Sequence, residues 1–72
     1  MNKQFPDRSL PWPVPMEAVE LIAQAESLRL TAYRCPAGIP TIGWGHTGPD
    51  VMIGETVWTK EQADKILCDE LI

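Results

Sequence analysis

The spacing of apolar positions changes three times along this 72-residue chain, and each change marks an element. Residues 1–15 show no period. Four of the seven prolines lie there, ending in Pro11-Trp12-Pro13-Val14-Pro15. Each proline fixes φ and lacks an N–H, so the stretch is expected as an extended arm. Trp12 and Val14 would then lie across a neighbouring apolar surface, or the arm would serve as a Pro-rich ligand. From Met16 the period becomes helical: Val19, Ile22, Ala23, Glu26 and Leu30 share one face. Pro15 suits a first helical turn, and Glu17 and Glu20 favour the positive end of the helix dipole. One member of that stripe is a carboxylate. Glu26 is therefore expected at the buried side of a helix end, where desolvation disfavours the charged form, as a general acid requires. The structural alternative is an ion pair with Arg29 or Arg34.

Beyond the helix the pattern shortens. Leu30-Thr31-Ala32-Tyr33-Arg34 predicts a strand, Cys35 to Pro40 a turn, and Thr41 to Thr47 a second strand closing a hairpin. Gly43 and Gly45 alternate with Ile42, Trp44 and His46, which leaves one face bare and lets another group approach the backbone. Gly48-Pro49-Asp50 predicts a turn, followed by irregular chain in which Met52 and Ile53 are expected to pack. Thr59-Lys60-Glu61-Gln62 matches a capping box and opens a second helix with Ala63, Ile66, Leu67, Glu70 and Leu71 on one face. Glu61 and Lys65 are spaced as an i,i+4 pair. The helical pattern continues to Ile72 without a C-terminal cap signal. Helix, hairpin, helix is an α+β order.

Composition narrows the function classes. At this length a chain buries only about 60% of its unfolded surface, so its core is small. Six basic residues against ten acidic ones give a formal charge of −4, and all of it falls in residues 49–72. A basic stripe for nucleic acid is absent, no apolar run has the roughly 20 residues of a membrane span, and no signal segment is legible. One histidine and two distant cysteines offer no metal-ligand spacing, and no cofactor motif is present. Cys35 and Cys68 allow one bridge at most.

Glu26, Cys35 and Thr41 stand at the helix end, the hairpin turn and the return strand, nine and six residues apart. Together with Glu26-Ser27-Leu28-Arg29-Leu30-Thr31-Ala32-Tyr33-Arg34-Cys35 and Pro40-Thr41-Ile42-Gly43-Trp44-Gly45-His46-Thr47, they resemble the phage-type lysozymes, the endolysins of glycoside hydrolase family 24. The resemblance runs from about Glu17 to the end of the chain. It includes Thr59 to Leu67, which looks like the start of that family's long interdomain helix.

This resemblance implies an N-terminal lysozyme lobe over 16–72, preceded by the arm 1–15, with the helical lobe missing. It implies hydrolysis of the β-1,4 bond between N-acetylmuramic acid and N-acetylglucosamine in peptidoglycan. Glu26 matches the general acid and Thr41 the hydroxyl that positions water. Cys35 stands where many members have Asp and some have Cys. An Asp there would be an ionised base, the inverting route. A thiol has an ordinary pKa near 8.5 and needs a positive neighbour such as Arg34 to become thiolate; as thiolate it would activate water or attack the sugar. A small buried residue and a Cys35–Cys68 bridge are the alternatives. The resemblance also sets His46 opposite Glu70, so an ion pair is expected there. With one cleft wall absent, the lobe alone is expected to be inactive or to need a second polypeptide. Without a signal segment it would stay in the host cytoplasm until a membrane lesion gave it access to the wall. The alternative function is a non-catalytic interaction module, or a remnant, whose exposed helix docks a partner.

Overall fold

The computed structural model describes residues 4–72; the first three residues of the arm lie outside the described residues. The elements follow in the order α1 (Met16–Glu26), β1 (Arg29–Arg34), β2 (Pro40–Gly43), β3 (His46–Thr47) and α2 (Lys60–Glu70). The three strands form one antiparallel sheet in sequence order. Arg34 pairs with Pro40 and Arg29 with Gly43, with a bulge between; Ile42 pairs with His46. The segment before α2 returns along the free edge of β1, where Thr31 bridges Val57 and the Trp58 N–H donates to the Leu30 carbonyl at 2.8 Å. That return occupies an edge that would otherwise invite another chain.

The expected strand over 41–47 is in fact two strands with Trp44 and Gly45 as the turn between them. Gly43 and Gly45 have φ of +66° and +84°, a region that side chains resist, so the chain doubles back within the segment. The turn points inward: Trp44 is buried and joins Val19 and Ala23 of α1 and Ala63 and Leu67 of α2 in the core. The glycine backbone is approached closely as expected, but at a turn and not along one strand face. The Trp58 ring lies against Gly43, where a Cβ would come within 2.8 Å of it.

The arm belongs to this core. Phe5, Trp12 and Val14 pack against it, Pro6 is wholly buried, and the Trp12 indole N–H donates to the Asp7 carbonyl at 2.7 Å. The Cys68 thiol faces the Pro11 carbonyl at 3.6 Å. Both cysteines are free, Cys35 in the hairpin turn and Cys68 buried on α2.

The capping box forms as the sequence predicts, with the Gln62 N–H donating to Thr59 Oγ1 and the Thr59 N–H to Gln62 Oε1. The buried face of α2 is rotated from the expected one: Ala63, Asp64, Leu67 and Cys68 are inside, and Ile66 is only half-buried. Asp64 is 2% exposed. It lies inside because three donors meet its carboxylate: the Trp44 indole N–H on Oδ1 at 2.7 Å, and the Asp7 N–H at 3.0 Å and Lys60 Nζ at 2.7 Å on Oδ2. Buried charge is tolerated only when paired and hydrogen-bonded in this way. Lys60–Asp64 replaces the expected Glu61–Lys65 pair. Helix α2 ends at Glu70, with the Leu71 N–H bonded back to the Leu67 carbonyl. In the loop, Val51 is buried while Met52 and Ile53 are exposed, the reverse of the expected packing; the Val51 N–H closes a turn onto Gly48 and directs that side chain inward.

Candidate active site

Glu26 is the last residue of α1. The helix stops there because Ser27 adopts φ +60° and ψ 154°, a conformation costly for any residue with a side chain. The Ser27 N–H still bonds the Ala23 carbonyl, at 3.0 Å, while the chain swings away into β1. The Glu26 carboxylate is left against the backbone of Gly45. A Cβ on Gly45 would lie 2.6 Å from its Oε1, so glycine is what makes the seat. The expectation of burial fails: Glu26 is exposed, as is Leu30. The apolar face of α1 ends at Ala23, one turn short of Glu26, and the described residues supply no covering over the carboxylate. The ion-pair alternative fails too. Arg29 stacks on the Tyr33 ring at 4.8 Å, and Arg34 donates to the Gly38 carbonyl at 3.1 Å.

Cys35 and Thr41 come together at the other end of the hairpin. The Cys35 N–H donates to the Ile39 carbonyl at 3.0 Å and the Gly38 N–H to the Cys35 carbonyl at 2.7 Å, a tight turn that curls N–H groups around the half-buried thiol. The Ile39 N–H, then the Ala37 N–H, hold the thiol below its ordinary pKa, against a smaller opposing effect of burial, with further help from the Gly38 N–H. Backbone donors therefore take the role expected of Arg34. Thr41 is buried and its hydroxyl proton is committed to the Ile39 carbonyl at 2.8 Å, so its lone pairs are what it offers a water. Glu26 sits by the β2–β3 turn and Cys35 beyond the start of β2. A groove of about 250 Å³ opens between the arm and the end of α1, lined by Phe5, Gln24, Ser27, Leu28 and Trp44.

A helix-end glutamate facing a Gly-X-Gly turn, with a polar hairpin beyond it, is the arrangement carried by the part of the chain that matches known proteins. Residues 23–72 match the family model for phage lysozyme. The chain belongs to the phage lysozyme family. It is also similar to an endolysin of Acyrthosiphon pisum secondary endosymbiont phage 1, at 45% identity over 51 residues, which is 71% of this chain and 34% of that endolysin. The chain thus spans about a third of the length of that relative. No solved structure matches it.

In this member of the phage lysozyme family His46 joins sheet to helix as expected. Its Nδ1 lies 2.6 Å from Glu70 Oε2, and its Nε2 lies 3.1 Å from Asp50 Oδ2, a second carboxylate that the sequence reading missed. Burial pulls the imidazole pKa down, but the hydrogen bonds and charges of Glu70 and Asp50 outweigh it and hold the value above normal. A histidine whose folded pKa is raised contributes stability that is complete below its unfolded pKa, about 6.5. That contribution is lost as pH rises through the higher folded value. Denaturation midpoints should therefore show a stabilising contribution from this pair at pH 5 that fades toward pH 8. Glu70→Gln should weaken that trend and lower the His46 titration followed by NMR; an unmoved His46 titration would refute the pairing.

Asp64 and the strained Ser27 also went unforeseen. Asp64 had a signal, since Asp64, Leu67, Cys68 and Leu71 make an i, i+3, i+4, i+7 stripe as regular as the one chosen. Ser27 had none. Among the described residues no group of His, Cys, Asp or Glu is placed to hold a metal ion, and no helix is long and apolar enough to cross a membrane.

Proposed function

We propose that this lobe carries the catalytic half of a muramidase that cleaves the β-1,4 bond between N-acetylmuramic acid and N-acetylglucosamine of the peptidoglycan glycan strand. The observation that carries the reading is the Glu26 carboxylate seated on Gly45, with the Cys35–Thr41 pair across the hairpin. Glu26 is the general acid that protonates the leaving glycosidic oxygen. Thr41 holds the attacking water through its lone pairs, and Cys35, as thiolate in its ring of backbone N–H groups, takes that water's proton.

The exposure of Glu26 supports a further part of the proposal. A carboxylate works as an acid near neutral pH when burial or a neighbour favours its protonated form, and a second wall over Glu26 would supply that burial. The lobe is accordingly inactive alone and active when a second polypeptide, or the remainder of a longer chain, closes the cleft. It would act on the wall from the host cytoplasm once the membrane is breached. Glu26→Gln, assayed on purified peptidoglycan with the completed enzyme, is expected to abolish release of reducing ends. Turnover that survives the substitution would end the muramidase reading and leave a non-catalytic docking module in its place.

A further inference from the structure

The inward-pointing turn between β2 and β3 has an unusual demand placed on it. It seats the Glu26 carboxylate on Gly45, yet it is flanked by Gly43 and built on Gly45, residues whose backbone has the most freedom to move. What immobilises it is the intervening Trp44, 4% exposed, whose indole N–H donates to Asp64 Oδ1 at 2.7 Å in a buried bond. Packing alone would leave that ring free to tilt; a short bond to a charged acceptor fixes its orientation. The acceptor is itself fixed. Its other oxygen takes Lys60 Nζ on the same helix and the Asp7 N–H of the arm, so Asp64 cannot turn without breaking those two bonds as well as the buried one to Trp44.

We propose that Asp64 is a positioning residue for Glu26: through the Trp44 indole it holds the turn that seats the carboxylate, and through Asp7 it makes that hold depend on the docked arm. The proposal rests on the muramidase reading for its purpose, but its physical content is a coupling between three groups. The side chains of Asp64 and Glu26 touch different parts of the turn, and Asp64 acts only through Trp44. Catalytic geometry tolerates errors of about 0.5 Å, so a turn that drifts by more than that takes Glu26 out of register.

The test uses the whole chain and NMR signals that do not depend on turnover: the Glu26 carboxyl carbon and the Gly45 amide, with the Gly38 amide at the far end of the hairpin as control. Asp64→Asn keeps an oxygen for the indole and loses the charge; Asp64→Leu loses both. The Glu26 and Gly45 signals are expected to move in Asp64→Leu and to move less in Asp64→Asn, which keeps the acceptor of the indole but turns an NH2 toward the Asp7 N–H and Lys60, with Gly38 unmoved in each. Should Asp64→Leu fail to fold, benzothienylalanine in place of Trp44 keeps the ring shape and deletes only the N–H, and should reproduce the movement. Native signals in either of those two proteins would overturn the proposal. So would equal movement in Asp64→Asn and Asp64→Leu, which would mean a charge effect without positioning. Loss of the muramidase reading is a separate result, read only from the Glu26→Gln assay.

Discussion

Gly45→Ala is expected to cost the completed enzyme about 100-fold in peptidoglycan turnover while lowering the stability of the lobe by only about 1–3 kcal/mol. The two effects have different origins. The stability cost comes from the backbone, since Gly45 sits at φ +84° and alanine resists that region. The activity cost comes from the new Cβ, which would lie 2.6 Å from Glu26 Oε1 and 2.8 Å from its Cδ. A glutamate side chain is flexible and swings aside more cheaply than a strand moves. Relief therefore comes from displacing the carboxylate, and the fold survives with its acid misplaced. Thermal melts, the Glu26 carboxyl resonance and reducing-end release measure the three quantities. A variant that keeps native turnover would show that the seat on Gly45 has no part in the chemistry.

Ile42→Ala is expected to remove about 2–5 kcal/mol. Ile42 is 0% exposed in the central strand, where truncation leaves a cavity. At about 0.05–0.15 kcal/mol per residue, 72 residues give a total of roughly 4–11 kcal/mol, so this single change takes about half of it. Leu21, 67% exposed on the outer face of α1, is the control: Leu21→Ala should stay within about 0.5 kcal/mol. Urea midpoints of the two variants decide the matter. An Ile42→Ala midpoint as close to the native one as that of Leu21→Ala would mean that the β2 core does not hold the lobe together.

Both helices, the hairpin and the capping box were legible because each rests on local chemistry: a period, a turn residue, a cap. The close approach to Gly43 and Gly45 was also legible from their alternation, although the identity of the visitors, Trp58 and the Glu26 carboxylate, was not. Failures came where tertiary context decided. Two readings of α2 were equally regular, and the arm chose between them by giving Asp64 a backbone donor. The inward turn at Trp44 was hidden because a tryptophan between glycines reads as strand until something in the core holds its N–H. Glu26 illustrates the reverse case. Its place at the helix end followed from the pattern, but its burial did not, because the buried face of α1 ends at Ala23 and leaves the carboxylate exposed. The chemistry assigned to Cys35 changed in cause and kept its direction: main-chain N–H groups of the turn, rather than Arg34, favour the thiolate.

The match to phage lysozymes begins at residue 23, whereas the arm that closes the core lies wholly before it. Asp64 binds the two together, since its Oδ2 takes the Asp7 N–H. Removing that donor leaves a buried carboxylate short of a partner, a cost of about 1–3 kcal/mol or more for a charged group. In evolutionary terms, arm and acid are heritable as a pair. Lineages without a counterpart of residues 5–12 should have lost the buried carboxylate or found it another donor, and covariation between the two sites, far apart in sequence, would be the trace.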